Sequence, residues 1–431
     1  MKIFNNPAPD SWQALVERPQ LGLDFLESAV RNILNRVKKS GDTALRELTL
    51  QFDKVTVDAI EVSQGEIGAA ERELSGDLKA AIKTAAENIR KFHDAQKRDE
   101  LFIETMPGVT CWRRGVPINR VGIYIPAGSA PLFSTVLMLG IPAKLAGCKE
   151  IVLCTPPDRS GIINPAVLYT AQLVGVTRIF KVGGAQAIAA MAYGTQTIPD
   201  VYKIFGPGNQ YVTKAKQMVT EDGVAIDLPA GPSEVLVLAD QSANPAFVAA
   251  DLLSQAEHGE DSQVILVLTN DKLLPAIRQE LEKQLNVLPR KKIAEKSLDN
   301  SRIVIINDRD VAIDFINAYA PEHLIINISD PDSIVSKITN AGSVFLGNYS
   351  PEAVGDYASG TNHTLPTNGY AKAYAGVSLD SFLKYITYQK ITEIGISNIG
   401  PAVEKMAEAE ALIGHQRAIS VRLETLKQKR S

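Results

Sequence analysis

The sequence predicts an α/β protein: two successive series of alternating strands and helices with parallel sheets, plus small helical segments at the N- and C-terminal ends. Three observations carry this. Short apolar runs bounded by Gly and Pro alternate with stretches of helical period through the middle of the chain. That alternation runs twice, in two series of similar size, which suggests a duplicated unit although no residue-level repeat is visible. The chain is also long enough, at 431 residues and 45% hydrophobic, to build two or more domains with large cores.

In order, residues 1–100 read as mainly helical. Over 23–39 the residues Phe25, Val30, Ile33, Leu34 and Val37 share a stripe, Gly41 stops the helix and Asp42 caps the next. Residues 75–98, rich in Ala, Lys and Glu, form a longer helix; His93 near its end has no polar constellation around it. The period then shortens to that of strands at Phe102–Met106 and Val109–Pro117, and 120–126 is a buried strand. Residues 127–131 open a helix over 132–145. The first series continues with strands at 150–154 and 178–182 and helices at 165–173, 185–192 and 208–221. The second places strands at Glu234–Ala239, Gln263–Leu268, 302–306, 324–326 and 343–346, with helices at 246–258, 272–285, 312–319 and 333–338. Beyond 347 the chain is loop-like until a helical tail begins near 381.

Composition narrows the function classes. A net charge of −4 and an isoelectric point near 5.9 leave no basic footprint for nucleic acid. The N-terminus lacks the pattern of a signal peptide, and no apolar run reaches membrane-spanning length. Three cysteines, Cys111, Cys148 and Cys154, make neither a disulfide framework nor a zinc ribbon. The expectation is a cytoplasmic globular protein with no nucleic-acid or membrane partner.

Chemistry concentrates late in the chain. Asn244-Pro245 reads as a helix start, Gly259 as its end, and Gln255 and His258 stand three apart, on one helical face. Four of the five histidines follow residue 250: His258, His323, His363 and His415, each in a polar, loop-like or helix-end setting. With Asp356 they offer imidazole and oxygen ligands suited to Zn²⁺ in an open site, although no H-x-x-x-H pair is present. Glu322-His323 sets a carboxylate beside an imidazole, either as solvated turn chemistry or as a general-base pair. Earlier, three glycine turns (Gly128, Gly183-Gly184 and Gly206-Pro207-Gly208) leave backbone N–H groups free at helix starts, the setting that binds phosphate, but none is a G-x-G-x-x-G.

Read together, Tyr-Ile-Pro-Ala-Gly-Ser-Ala-Pro-Leu-Phe-Ser-Thr (124–135), Gly-Gly-Ala-Gln-Ala-Ile (183–188), Phe-Gly-Pro-Gly-Asn (205–209), Pro-Ala-Gly-Pro-Ser-Glu (229–234), Ser-Gln-Ala-Glu-His (254–258), Pro-Glu-His-Leu (321–324) and Gly-Asp-Tyr-Ala-Ser-Gly-Thr-Asn-His (355–363) resemble the histidinol dehydrogenase family along essentially the whole chain. That family more often has Gly where Ala127 stands. The resemblance implies NAD-linked, four-electron oxidation of L-histidinol to L-histidine through L-histidinaldehyde, the last steps of histidine biosynthesis. It implies one Zn²⁺ per site on Gln255, His258, Asp356 and His415, and catalysis by Glu322 and His323. Ser233 and Glu410 would join the zinc ligands and His323 around the substrate. Tyr124, Gln186 and Asn209 would contact NAD. It implies two Rossmann-like, incomplete, duplicated domains: 22–118 with 236–375 on the substrate and zinc side, and 119–235 on the NAD side. Residues 1–21 would be an N-terminal segment and 376–431 a helical tail. In the homodimer this implies, the tail crosses to the partner and the active sites are shared. On one continuous helix Glu410 and His415, five apart, would not face the same way, unless Gly414 breaks it.

Three competing readings share some of these residues. A metal-dependent hydrolase would use Glu322 as base on metal-bound water without needing the glycine turns. A two-lobed solute-binding protein would show two α/β series but require export. A thiohemiacetal route would need Cys111 or Cys148 as nucleophile.

Overall fold

The computed structural model describes residues 1–19, 24–126, 131–229 and 231–430. The N-terminal region holds β1 (Lys2–Asn5), α1 (Trp12–Val16), α2 (Asp24–Phe52), α3 (Gln64–Glu73), α4 (Gly76–Asp94), β2 (Phe102–Met106) and β3 (Val109–Pro117). The first series follows as β4 (Arg120–Tyr124), α5 (Phe133–Ala146), β5 (Glu150–Thr155), α6 (Pro165–Val174), β6 (Arg178–Lys181), α7 (Gly184–Tyr193), β7 (Lys203–Phe205), α8 (Gln210–Glu221) and β8 (Ala225–Ile226). The second runs β9 (Glu234–Ala239), α9 (Pro245–Ala256), β10 (Gln263–Leu268), α10 (Leu274–Val287), α11 (Lys291–Asp299), β11 (Arg302–Ile305), α12 (Arg309–Tyr319), β12 (His323–Asn327) and β13 (Ser343–Leu346). The C-terminal part comprises α13 (Glu352–Tyr357), β14 (Leu383–Ile391), α14 (Glu393–Ala409) and α15 (Ile413–Arg430).

The two series form two parallel sheets of matching topology. The five-stranded sheet is ordered β6-β5-β4-β7-β8, and the six-stranded one β1-β11-β10-β9-β12-β13. With β1 set aside, both place their strands in the order third, second, first, fourth, fifth, the doubly wound arrangement. Strands buried on both faces must be apolar throughout, as Glu-Val-Leu-Val-Leu-Ala in β9 nearly is. Each sheet is clad on both faces. Helices α5 and α6, with α3 and α4 outside them, cover one face of the five-stranded sheet, while α7 and α8, with α2, cover the other. On the six-stranded sheet, α9 to α11 cover one face and α1 with α12 the other.

The chain divides into two compact units. Met1–Gln96 with Ile118–Phe382 contains both parallel sheets; Lys97–Pro117 with Leu383–Ser431 is the second. The second is a three-stranded antiparallel sheet, β14-β3-β2, with α14 and α15 paired beside it, and Trp112 stacks between Phe102 and Tyr388.

Several expectations are corrected. The N-terminal residues are a strand, not helix, because β1 adds to the sheet edge beside β11, a pairing three hundred residues away in sequence. The tail does not begin as helix near 381. Residues Tyr385 to Tyr388 are β-branched or aromatic, and β14 pairs with β3 along nine residues. Helix α11 was not anticipated. Helices α2, α3 and α4, expected beside 236–375, pack over the five-stranded sheet, and Lys97–Pro117 belongs to the second unit, with Leu383–Ser431. The break between α14 and α15 falls at Ala411, which is left-handed (φ 57°), three residues before Gly414.

Candidate active site

A cluster of buried polar side chains lies at the amino edge of the six-stranded sheet, where β9 and β12 are neighbours. Helix α12 ends on Ala320 in the left-handed region (φ 54°), and Pro321 then turns the chain into β12. That turn brings Glu322 and His323 against the start of β9. The Glu234 N–H donates to Glu322 Oε2 (2.9 Å), and the Glu234 carbonyl meets His323 Nδ1 (3.1 Å). A carbonyl only accepts, so Nδ1 carries a proton and the ring gains or loses its second proton at Nε2. Nε2 is buried and faces Asp356 Oδ1 at 3.3 Å, without the alignment of a hydrogen bond. Glu234 is itself fixed: Arg18 grips both carboxylate oxygens (3.0 and 2.9 Å), donates to the Tyr319 carbonyl (2.6 Å) and stacks on the Tyr319 ring, while the Asn368 N–H adds a further bond (2.7 Å). A bidentate Arg–carboxylate pair fixes orientation as well as charge.

The cluster is rich in acid. Burial pushes Glu322 and Glu352 each up to about 8 and Asp251 up to about 7. Burial works against a charged His323, but Glu322, Asp356 and Glu352 outweigh it and raise its pKa. Burial would also raise Asp356; contacts with His323, His363 and His258 hold it below the ordinary range instead. Ser254 Oγ donates to Glu352 Oε1 (2.7 Å), and the Gln255 side-chain amide lies between that same carboxylate oxygen and the Glu234 N–H.

His258 is not on the helix with Gln255. Helix α9 ends at Ala256, and His258 follows in a bend, its N–H bonded to the Gln255 carbonyl (3.2 Å). Gln255 is buried, whereas His258 keeps part of its surface exposed. Desolvation of the His258 ring lowers its pKa against the pull of Asp356, which leaves a neutral imidazole beside an ionised carboxylate. Among the described residues no three His, Cys, Asp or Glu side chains converge as a ligand set. Ser233, immediately before β9, is partly buried; Glu410 and His415 are exposed and belong to the second unit.

The residues expected to contact NAD sit at the other kind of edge, the carboxyl ends of the five-stranded sheet. Tyr124 ends β4, and its buried hydroxyl accepts from the Gly184 N–H (3.0 Å) at the start of α7, where Gln186 is also buried. Asn209 caps α8, accepting from the Tyr211 and Val212 N–H groups (3.0 and 3.1 Å). Strands β4 and β7 are the neighbours at which the winding reverses, the point where doubly wound sheets open a crevice. Of the glycine turns, Gly183-Gly184 and Gly206-Pro207-Gly208 lie here; Gly128 falls outside the described residues. Gly206 (φ 122°) is pinned on both sides, its N–H to Asp227 (2.7 Å) and its carbonyl to Lys216 (2.8 Å).

Two thiols are poor nucleophiles. Cys148 is buried and pushed up to about 12, and Cys154 in β5 is raised still further by complete burial. Cys111 lies in β3 of the second unit. Sequence reasoning missed Glu352, Glu234 and Arg18. Glu352 had a signal, standing four residues before Asp356; the other two are brought in by pairing between distant segments.

Known proteins align with this geometry over the whole chain. The family model described as histidinol dehydrogenase matches residues 16–423. Histidinol dehydrogenase from Bacteroides fragilis (strain YCH46) is 59% identical, covering 99% of this chain and 100% of that protein. The Yersinia pestis enzyme is 51% identical over 96% of this chain and 93% of its own length. The crystal structure of histidinol dehydrogenase from Elizabethkingia anophelis superposes with a TM-score of 0.97 at 58% identity, covering 99% of each chain.

Proposed function

The chain belongs to the histidinol dehydrogenase family, and from that premise we propose how its residues carry out NAD-linked oxidation of L-histidinol to L-histidine through L-histidinaldehyde. The observation that carries the reading is the Glu322–His323–Asp356 cluster at the amino edge of the six-stranded sheet. His323, with Nδ1 fixed on the Glu234 carbonyl, takes the alcohol proton at Nε2 as hydride passes to NAD, and assists the second hydride transfer in the same way. Glu322, buried and raised to about 8, takes a proton from the water that adds to the aldehyde. Tyr124, Gln186 and Asn209 bind the cofactor at the carboxyl edge of the five-stranded sheet, and Ser233 borders the substrate.

The donor chemistry fits a zinc ion. His258 is a neutral imidazole, Asp356 an ionised carboxylate, and the surrounding Glu322, Glu352 and Asp251 are crowded acids raised by burial. The ligands would be Gln255, His258, Asp356 and His415. Bound there, zinc supplies an anchor for the substrate's imidazole and amino nitrogens and the positive charge this acidic cluster lacks. The test is absorbance of NADH on adding L-histidinol, before and after chelation. NADH formation that survives full removal of the metal would overturn the zinc reading.

In this reading His415 and Glu410 complete the site of a second copy. Ile386, Ile391, Met406 and Ile413 are exposed apolar side chains on their unit, which a partner would cover. Mixing His258→Asn and His415→Asn subunits, each inactive alone, should restore roughly a quarter of wild-type activity, because half the dimers regain one intact site. Verified exchange without recovery would mean that each tail serves its own subunit. Among the described residues no helix is long and apolar enough to cross a membrane, and a cytoplasmic enzyme is the reading proposed.

A further inference from the structure

His363 has no part in the chemistry above, yet its ring bridges two elements. Nδ1 meets the Asp356 carbonyl at 2.8 Å and Nε2 meets Thr135 Oγ1 at 3.0 Å. Since the carbonyl can only accept, Nδ1 donates to it; Nε2 then accepts, and the Thr135 hydroxyl is the donor. Thr135 is buried in the first turn of α5, the helix that follows β4 and Tyr124. The neighbouring Asn362 grips the same helix one turn on, donating to the Met138 carbonyl (2.6 Å) while its Oδ1 accepts from the Thr364 N–H (3.0 Å). Helix α4 holds the same segment from another side, through Asn88 Nδ2 to the Ala358 carbonyl (2.9 Å). Residues 356–364 follow the second series in sequence but are fastened to α5 of the first and to the N-terminal helix α4. Asp356, whose carboxylate reaches His323, hangs from that fastening.

We propose that His363 is a positioning residue: with Thr135 it forms a line from the cofactor-side helix α5 to Asp356, so that occupancy of the cofactor edge sets how Asp356 presents its carboxylate. The proposal rests on the reading of Asp356 as a zinc ligand. Such outer partners orient metal ligands, and their loss weakens metal binding by about 10- to 100-fold.

The experiment measures zinc affinity of the full-length apoprotein by competition with a chromophoric chelator, with and without NAD, for wild type, Thr135→Val, Thr135→Ser, His363→Asn and the Thr135→Val/His363→Asn double variant. In wild type, NAD should shift the zinc Kd by about 5-fold or more, within the usual range of site-to-site coupling. Thr135→Val, which replaces the hydroxyl by a methyl of similar volume, should weaken zinc binding about 10-fold and abolish the NAD effect. Thr135→Ser, which keeps the hydroxyl, should restore both, a rescue that a packing role of the threonine methyl would not give. The double variant should bind zinc no more weakly than the worse single one, because both changes cut one line. No NAD effect in wild type, or wild-type zinc affinity and NAD response in Thr135→Val, overturns the proposal. Full zinc content in His258→Ala would instead overturn the metal reading itself, so the two failures are distinguishable.

Discussion

Along the five-stranded sheet the polar groups gather where the strands end; along the six-stranded sheet they gather where the strands begin. The strand order is the same in both, so topology did not decide this. At the carboxyl edge the groups are turn amides and dipoles: the Gly184 N–H on Tyr124, the capped start of α8 at Asn209, and Gly206 held between Asp227 and Lys216. At the amino edge they are ionisable side chains crowded against one imidazole. A doubly wound sheet offers a ready crevice for an anionic cofactor at its carboxyl edge. Acid–base chemistry instead needs buried carboxylates whose proton affinity is raised, and the amino edge of β9 and β12 supplies them because their first residues are Glu234 and His323.

The sharpest way to break this contrast is to remove one charge from the amino edge without changing its shape. Glu322→Gln should lower oxidation of L-histidinaldehyde by about 10²–10⁴-fold, the span of a general base. It should retain much of the reverse reduction of the aldehyde by NADH, which needs no activated water. Steady-state rates in the two directions read the difference. If Glu322 is that base, wild-type aldehyde oxidation should rise with pH toward about 8, as the carboxyl loses its proton. Equal loss in both directions would mean that the glutamate only holds the substrate.

How much of this was legible depends on the distance over which each feature is specified. The two alternating series, the cap at Asn244, the stop at Gly41 and the Glu322-His323 pair are local patterns, and the sequence displays them directly. The place of β1 was not, since its partner β11 is far along the chain, and four residues carry little periodicity. Nor was β14: Tyr-Ile-Thr-Tyr favours a strand, but charged Lys384 and Lys390 around it resemble the helices that follow. In the site, residue types were readable and their orientation was not. Gln255 and His258 look like one helical face until α9 is seen to stop at Ala256. The fastening of Asp356 through His363 to Thr135 depends on residues 228 positions apart, which no spacing rule reports.

A second probe acts on the carboxyl edge through its backbone. Gly206 sits at φ 122°, where L side chains are strained, and a methyl group there would press into the Tyr124 carbonyl, a backbone atom that cannot swing aside. Gly206→Ala should cost about 2–4 kcal/mol of stability, the range for strained backbone combined with overpacking. It should also raise the KM for NAD more than that for L-histidinol, if this edge serves the cofactor. Denaturant unfolding and paired KM values measure the two effects. A variant with normal cofactor KM would detach the turn from cofactor binding.

The smallest expected effect concerns a half-buried acid near that same edge, Asp53. Asp53 follows the last residue of α2. That helix is kinked at Gly41, where Asp42 bonds to Thr197 beyond the end of α7, so its other end lies over the start of α7 near Gly184. Asp53 Oδ2 is buried without a partner, and burial pushes the carboxyl from 3.8 up to about 6. The folded state therefore holds this proton more tightly than the unfolded chain does. The sign follows: stability is lost as pH rises from about 4 through about 6, and the loss persists above that. Asparagine has the same shape and no charge, so Asp53→Asn should be the more stable protein at pH 8, by about 1–2 kcal/mol once partial solvent screening of the site is allowed for. Near pH 4 the two proteins should unfold together. Urea melts at the two pH values decide it. A variant less stable than wild type at pH 8 would mean that the carboxylate is stabilised where it stands, and that this edge is more like the acid-rich one than its bonding suggests.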